Sequence, residues 1–220
     1  TDERFDYYHR VEERLKFDLQ YFNRITKGGL PPKTLNVALA GTGVGKSLFM
    51  CHVASSMLTQ GRNVLYITLE MAEERIAERI DANLLDCTID ELYEMPKKYY
   101  DSKVKRLQSK VQGQLIIKEY PTAAAHAGHF KSLIDELALK KSFKPDIVFV
   151  DYLNICSSSR FKGGNISSYF YIKAIAEELR GLAVTYNVPI VSATQTTRTG
   201  YMSSDVGLED TSESFGLPAT

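Results

Sequence analysis

The apolar positions of the chain fall into two rhythms separated by a short break. Phe5, Tyr8, Val11, Leu15, Leu19 and Phe22 recur every three or four residues with charges between them, the spacing that lines one face of a helix. Lys27-Gly28-Gly29-Leu30-Pro31-Pro32 ends that pattern, because paired glycines and prolines cannot continue a helix. The break divides a leading arm, residues 1–26, from a main domain, residues 27–220. In the main domain, short apolar runs at 35–40, 64–69, 115–118, 147–150 and 188–193 read as buried strands. Helical stretches near 46–60, 72–86, 96–112, 129–141 and 167–186 lie between them, and in the last of these Ile172, Ile175, Leu179, Leu182 and Tyr186 form one stripe. Alternation of this kind predicts an α/β fold, a mainly parallel twisted sheet with helices on both faces. Pro145 and Pro189 fall at strand entrances, where a missing amide donor is tolerated.

Composition narrows the class without changing that picture. The chain has 220 residues, room for one such domain, with 44% apolar and 25% charged residues. Lys and Arg number 27 and Asp and Glu 27, so no net field draws in nucleic acid or membrane. Any DNA contact must come from a local patch, or from a weak patch repeated around an oligomer. Cys51, Cys87 and Cys156 are far apart and match neither a metal site nor a disulfide framework, which points to a reducing, cytoplasmic setting. No apolar run approaches membrane length. With no initial Met and no evident natural end at Thr220, the sequence reads as a piece of a longer protein, incomplete at its C-terminus.

The chemistry begins where the first strand ends. Leu35-Asn36-Val37-Ala38-Leu39-Ala40 runs into Gly41-Thr42-Gly43-Val44-Gly45-Lys46-Ser47, and a helix follows. Glycines let such a loop curl until its amides converge on a phosphate chain, and the helix adds its positive end. Lys46 can reach the β- and γ-phosphate oxygens, and the Ser47 hydroxyl can ligate magnesium. Ala40 stands where the motif asks for glycine; it is acceptable at negative φ if Gly41 and Gly43 supply the unusual angles.

Two further strands end in acids. Ile147-Val148-Phe149-Val150-Asp151 delivers a carboxylate to the strand edge beside the loop, suited to holding magnesium, although an Asp there can also simply cap a turn. Leu65 to Glu70 ends the same way, and Glu70 is suited to align water in line with the γ-phosphate. Glu73 and Glu74 compete for that role, but would lie inside the helix and serve its positive end. The fifth strand runs into Thr194-Gln195, where a glutamine can sense the γ-phosphate and pull on the following loop. Two polar loops can either touch a sugar–phosphate backbone or be plain solvated surface loops: one with Arg160, Phe161 and Lys162, the other with Arg198 and Tyr201. His126 and His129 lack a third ligand nearby and read as a solvated helix start.

Taken together, these residues resemble the motor domain of DnaB-type replicative helicases, and within them the T-even-type bacteriophage branch. The resemblance is carried over nearly the whole chain, most specifically by Asn63 to Glu74, Arg79-Ile80-Asp81-Ala82-Asn83, Val150-Asp151-Tyr152-Leu153, Lys173 to Arg180 and Glu213 to Thr220. It implies a RecA-like fold preceded by a linker helix, with ATP and Mg2+ as ligands. It implies that Gly41, Thr42, Gly43, Val44, Gly45, Lys46 and Ser47 bind nucleotide, with Asp151 beside Ser47 at the metal. It makes Glu70 the catalytic glutamate, Lys46 and Gln195 its partners on the phosphates, and Arg160, Lys162 and Arg198 DNA contacts facing the channel of a homo-hexamer. Single-stranded DNA, primase and a helicase loader are the partners implied, in the cytoplasm of a bacterial host and with no membrane. The Asp2 to Phe22 stripe suits the family's linker helix that docks on a neighbouring subunit, with packing on its own chain as the alternative. The family's arginine finger, supplied in trans, cannot be assigned before Thr220. A RecA-like recombinase or ATP-switched DNA-binding protein is the alternative; a small-molecule P-loop kinase lacks its arginine-rich lid here.

Overall fold

A computed structural model describes residues 2–161 and 168–195. Five parallel strands form one sheet: β1 (Leu35–Ala40), β2 (Val64–Thr68), β3 (Leu115–Glu119), β4 (Ile147–Asp151) and β5 (Ile190–Gln195), in the order β1-β5-β4-β2-β3. Strands β2 and β4 are buried at every position, which is why they read as unbroken apolar runs. The edge strands β1 and β3 are only half-buried. Alternate residues serve opposite faces. Leu65, Ile67, Val148 and Val150 pack under α7 (Ala127–Lys141) and α8 (Ser168–Tyr186). Val64, Tyr66, Ile147 and Phe149 pack under α3 (Lys46–Thr59) and α4 (Glu73–Leu85). Each fully buried Leu, Ile or Phe in these layers contributes about 1.5–3 kcal/mol.

The last strand begins two residues later than the apolar run suggests. Pro189 has no amide to pair, so the ladder starts at Ile190, whose N–H donates to Thr34, and continues through the polar Thr194 and Gln195 opposite Leu39 and Ala40. A helix that the periodicity does not reveal, α5 (Ile89–Glu94), is capped reciprocally by Thr88 and Glu91. It leads to α6 (Lys97–Gln108), which starts after Pro96.

The arm departs from the helix its spacing predicts. Among its described residues only α1 (Asp2–His9) and α2 (Gln20–Ile25) are helical. Between them Leu15 and Phe17, two residues apart as in a strand, both bury against the main domain while Lys16 stays exposed. Leu15 and Leu30 form an antiparallel bridge, with N–H···O distances of 2.9 and 2.8 Å. A Cβ on Gly29 would lie 2.2 Å from the Leu15 carbonyl oxygen, so the glycine permits this close approach. Asn23 clasps the Phe17 backbone through both its amide atoms, and Phe22 stacks between Phe17 and Phe49 of α3. His52 of α3 meets Asp18 at 2.7 Å and Arg62 meets Glu13 at 2.6 Å. From Glu13 onward the arm is thus fastened to its own chain; the exposed Phe5 lies ahead of that point.

Candidate active site

Four strands bring their C-terminal residues to one edge of the sheet. Ala40 of β1 stands opposite Gln195 of β5, and Thr68 of β2 opposite Asp151 of β4. This is the edge at which open parallel sheets hold ligands.

The loop after β1 curls as its glycines allow, though with a different division of labour from the one expected. Gly43 (φ +76°) and Gly45 (φ +108°) take the left-handed angles; Ala40 and Gly41 are not among the positive-φ residues. The chain leaves β1 without a left-handed residue, and Thr42 and Gly43 form the turn that follows, closed by Val44 N–H on the Gly41 carbonyl. A Cβ on Gly43 would touch nothing within 4 Å, so backbone angle, not crowding, demands glycine there. Gly45 is the N-cap of α3 and no side chain caps that helix, leaving its first amides and Ser47 at the sheet edge.

Lys46 donates to the Gly41 carbonyl at 3.0 Å, and its ammonium lies 5.9 Å from the centre of the Tyr152 ring. Partial burial lowers its pKa, while the charges of Glu70 and Asp151 oppose that shift. The loop lysine and both strand-end acids therefore share one electrostatic field.

Asp151 is 1% exposed. Its Oδ2 accepts a hydrogen bond from the Tyr66 hydroxyl at 2.9 Å, whereas its Oδ1 is buried with no protein partner. An unpaired buried carboxylate oxygen is costly and calls for a cation or a cation-bound water, so Asp151 fits the divalent ion expected here. Burial, reinforced by the Asp151 charge, holds the Tyr66 pKa well above the usual phenol value, keeping the O–H as a donor. Burial also pushes the Cys51 thiol up to about 11, and its Sγ lies 3.9 Å from the Tyr66 hydroxyl.

Glu70 follows β2 on a tightly fixed turn. The Thr68 hydroxyl bridges both backbone groups of Met71, Leu69 N–H donates to the Asp151 carbonyl, and Thr122 donates to the Leu69 carbonyl. The Glu70 side chain itself is exposed at that edge. Glu73 is otherwise engaged: its carboxylate accepts the Glu119 N–H at 2.8 Å while Glu119 accepts the Glu73 N–H, fastening α4 to β3. Gln195 donates to the Tyr152 hydroxyl at 3.2 Å, and Thr194 donates to Asn154 at 2.7 Å.

The segment after β4 is more ordered than a solvated loop. Glu178 of α8 accepts from the Ser158 hydroxyl (2.6 Å) and from the Ser159 hydroxyl (2.8 Å) and amide (3.0 Å). Arg160 pairs with Glu177. Lys162 and Arg198, named from the sequence as DNA contacts, lie outside the described residues. His126 caps α7, its Nδ1 accepting from Gly128 N–H while His129 Nδ1 accepts from His126 N–H. Sequence reasoning did not single out Tyr66, Cys51 or Tyr152 for a role at the site. The one available signal was a hydroxyl inside an otherwise apolar strand.

Against this geometry, the DnaB-like helicase C terminal domain family matches residues 15–206. The chain belongs to that family. It is 47% identical over 216 residues to the DnaB-like replicative helicase of Enterobacteria phage T4, a match covering 97% of this chain and 46% of that protein. It thus spans less than half the length of that relative. A solved DnaB-like replicative helicase, described with its interactions with primase, superposes with a TM-score of 0.76 at 18% identity over 99% of this chain and 52% of that one. A second solved structure, of an ATPase domain, gives 0.74 at 17% identity, over 99% of this chain and 78% of that one. Those likenesses show the RecA-like fold, and membership places the chain among DnaB-like helicase C terminal domains. Among the described residues, no helix of this DnaB-like domain is long and apolar enough to cross a membrane.

Proposed function

We propose that this chain is the ATP-driven motor domain of a replicative helicase that translocates on single-stranded DNA and unwinds duplex at the fork. One observation carries the reading: Lys46 at the phosphate loop feels both Glu70 and Asp151, while Asp151 keeps a buried oxygen free of protein partners. In this reading the amides of Gly41 to Ser47 hold the triphosphate and Lys46 neutralises its β- and γ-oxygens. Ser47 and Asp151 hold Mg2+, which when bound offsets phosphate charge. Glu70 orients the attacking water, and Gln195 contacts the γ-phosphate. Arg160, with Lys162 and Arg198, meets the DNA backbone. Residues 1–26 act as linker arm and 27–220 as ATPase domain. The complete protein works as a homo-hexamer in the bacterial cytoplasm with primase and a loader, and the isolated chain is weakly active without an arginine finger in trans.

The test is DNA-stimulated ATPase of the complete protein. Lys46→Ala should abolish turnover. Glu70→Gln should retain nucleotide binding and lose hydrolysis by about a hundredfold or more; undiminished turnover in Glu70→Gln would remove Glu70 from the role.

A further inference from the structure

We infer that the Tyr66 hydroxyl is a positioning group that fixes the plane of the Asp151 carboxylate, and so the direction in which its second oxygen is presented to the divalent ion. The inference rests on the proposed metal role of Asp151. A strand-end carboxylate has a broad torsion about its Cβ–Cγ bond, so its plane can swing and aim its oxygens away from a bound ion. Here the plane is anchored, because one oxygen, Oδ2, is held at 2.9 Å by the Tyr66 hydroxyl while the other, Oδ1, has no protein partner. Both residues are buried, Tyr66 at 0% and Asp151 at 1% exposure, so bulk water does not substitute for the phenol.

The phenol is itself aimed. Tyr66 stacks on Phe149 with ring centroids 5.5 Å apart and an interplanar angle of 13°, which fixes its ring plane. The Cys51 thiol donates to its oxygen at 3.9 Å, leaving the phenolic proton for Asp151. Cys51 lies one helical turn after Ser47 on α3, on the same helix face. The chain from Cys51 through Tyr66 to Asp151 therefore ties α3, β2 and β4 together directly behind the two proposed metal-side residues. Phenylalanine would fill the same strand position and pack equally well on Phe149; only the hydroxyl serves the carboxylate.

The test is the magnesium linkage of nucleotide binding, read with mant-ADP in excess Mg2+ and again in EDTA, alongside thermal melting. Tyr66→Phe should leave affinity in EDTA unchanged and shrink the gain that Mg2+ confers by about tenfold, the scale of one charge-assisted hydrogen bond. Asp151→Asn should remove most of that gain and serves as the reference. If Tyr66→Phe keeps the full gain while Asp151→Asn loses it, the positioning role is overturned and the metal role stands, whatever happens to the melting temperature. If Asp151→Asn also keeps the gain, the metal role itself fails. Should Tyr66→Phe not fold, Cys51→Ala reads the same quantity: a smaller loss of the gain supports the relay, and none overturns it.

Discussion

Removing the Glu178 carboxylate tests whether the segment after β4 is a fastened element or a free loop. Glu178 is the common acceptor for the Ser158 hydroxyl and for the Ser159 hydroxyl and amide. Ser158 is only 5% exposed, so its charge-assisted bond lies in a dry environment and is worth about 1.5–3 kcal/mol. Ser159 is exposed, and its two bonds together add no more than about 1 kcal/mol after solvent screening. Glu178→Ala should therefore free the segment by about 2–3 kcal/mol. Three amides report it: Ser158 N–H donates to the Tyr171 hydroxyl, Ser159 N–H to Glu178, and Arg160 N–H to the Ser158 hydroxyl. Native-state hydrogen exchange at these amides should speed up about 30- to 160-fold, with β2 and β4 unaffected. Burial alone would raise the Glu178 pKa, but the hydrogen bonds from Ser158, Ser159 and the Arg160 backbone outweigh it and leave the pKa lowered. The sign follows: a lowered folded-state pKa gives stabilisation that is complete above the ordinary glutamate value and is lost as pH falls through the lower, folded value. Protection should be flat near neutrality and erode only in acid. Unchanged exchange in Glu178→Ala would refute the fastening.

Two further outcomes are expected elsewhere. Gly45→Ala places a side chain at φ +108°, which should cost about 1 kcal/mol or more of stability in thermal melts and weaken mant-ADP binding by tilting the start of α3; equal affinity would mean the loop tolerates the strain. Arg160→Ala should lower the salt slope of single-strand binding by the complete protein by about 0.7 in log–log units, the share of one phosphate contact; an unaltered slope would leave Arg160 as a partner of Glu177 alone.

The strands and their buried character were legible because β2 and β4 are continuous apolar runs with a polar residue at the edge. The glycine-rich loop between β1 and α3 was legible because strand, glycines and helix occur in fixed order, yet which glycines turn was not. Gly41 follows β1 without a positive φ, and the burden moves to Gly45 at the helix cap. The arm misled because Leu15 and Leu19 sit at helical spacing while Leu15 and Phe17 sit at strand spacing; the bridge to Leu30, which decides between them, lies across the Gly28-Gly29 break. Glu73 looked like a rival of Glu70 until its hydrogen bonds with Glu119 accounted for it. Such long-range pairings leave no local trace.

The same reasoning explains why the chemistry of the β4 exit was the least readable part. Its polar residues pair with elements far along the chain. Asn154 is held by Thr194, Tyr152 receives Gln195, and Ser158 and Ser159 are held by Glu178 of α8. Within β5, Ser192 donates to the Val150 carbonyl at 2.7 Å, so β4 and β5 are joined by side chains as well as by their ladder. The consequence is mechanical. Gln195 cannot move away from the sheet edge without either breaking its 3.2 Å bond to Tyr152 or carrying Tyr152 with it. Tyr152 follows Asp151 directly and its ring faces Lys46, so a displacement on β5 reaches Asp151 and Lys46 through one residue. From Tyr152 the chain runs through a 3-10 turn, Leu153–Ile155, to the serines clasped by Glu178. The path from the sheet edge that carries Lys46 and Asp151 to Arg160 is therefore a short run of bonded groups, the kind of connected network through which two proposed sites can be coupled.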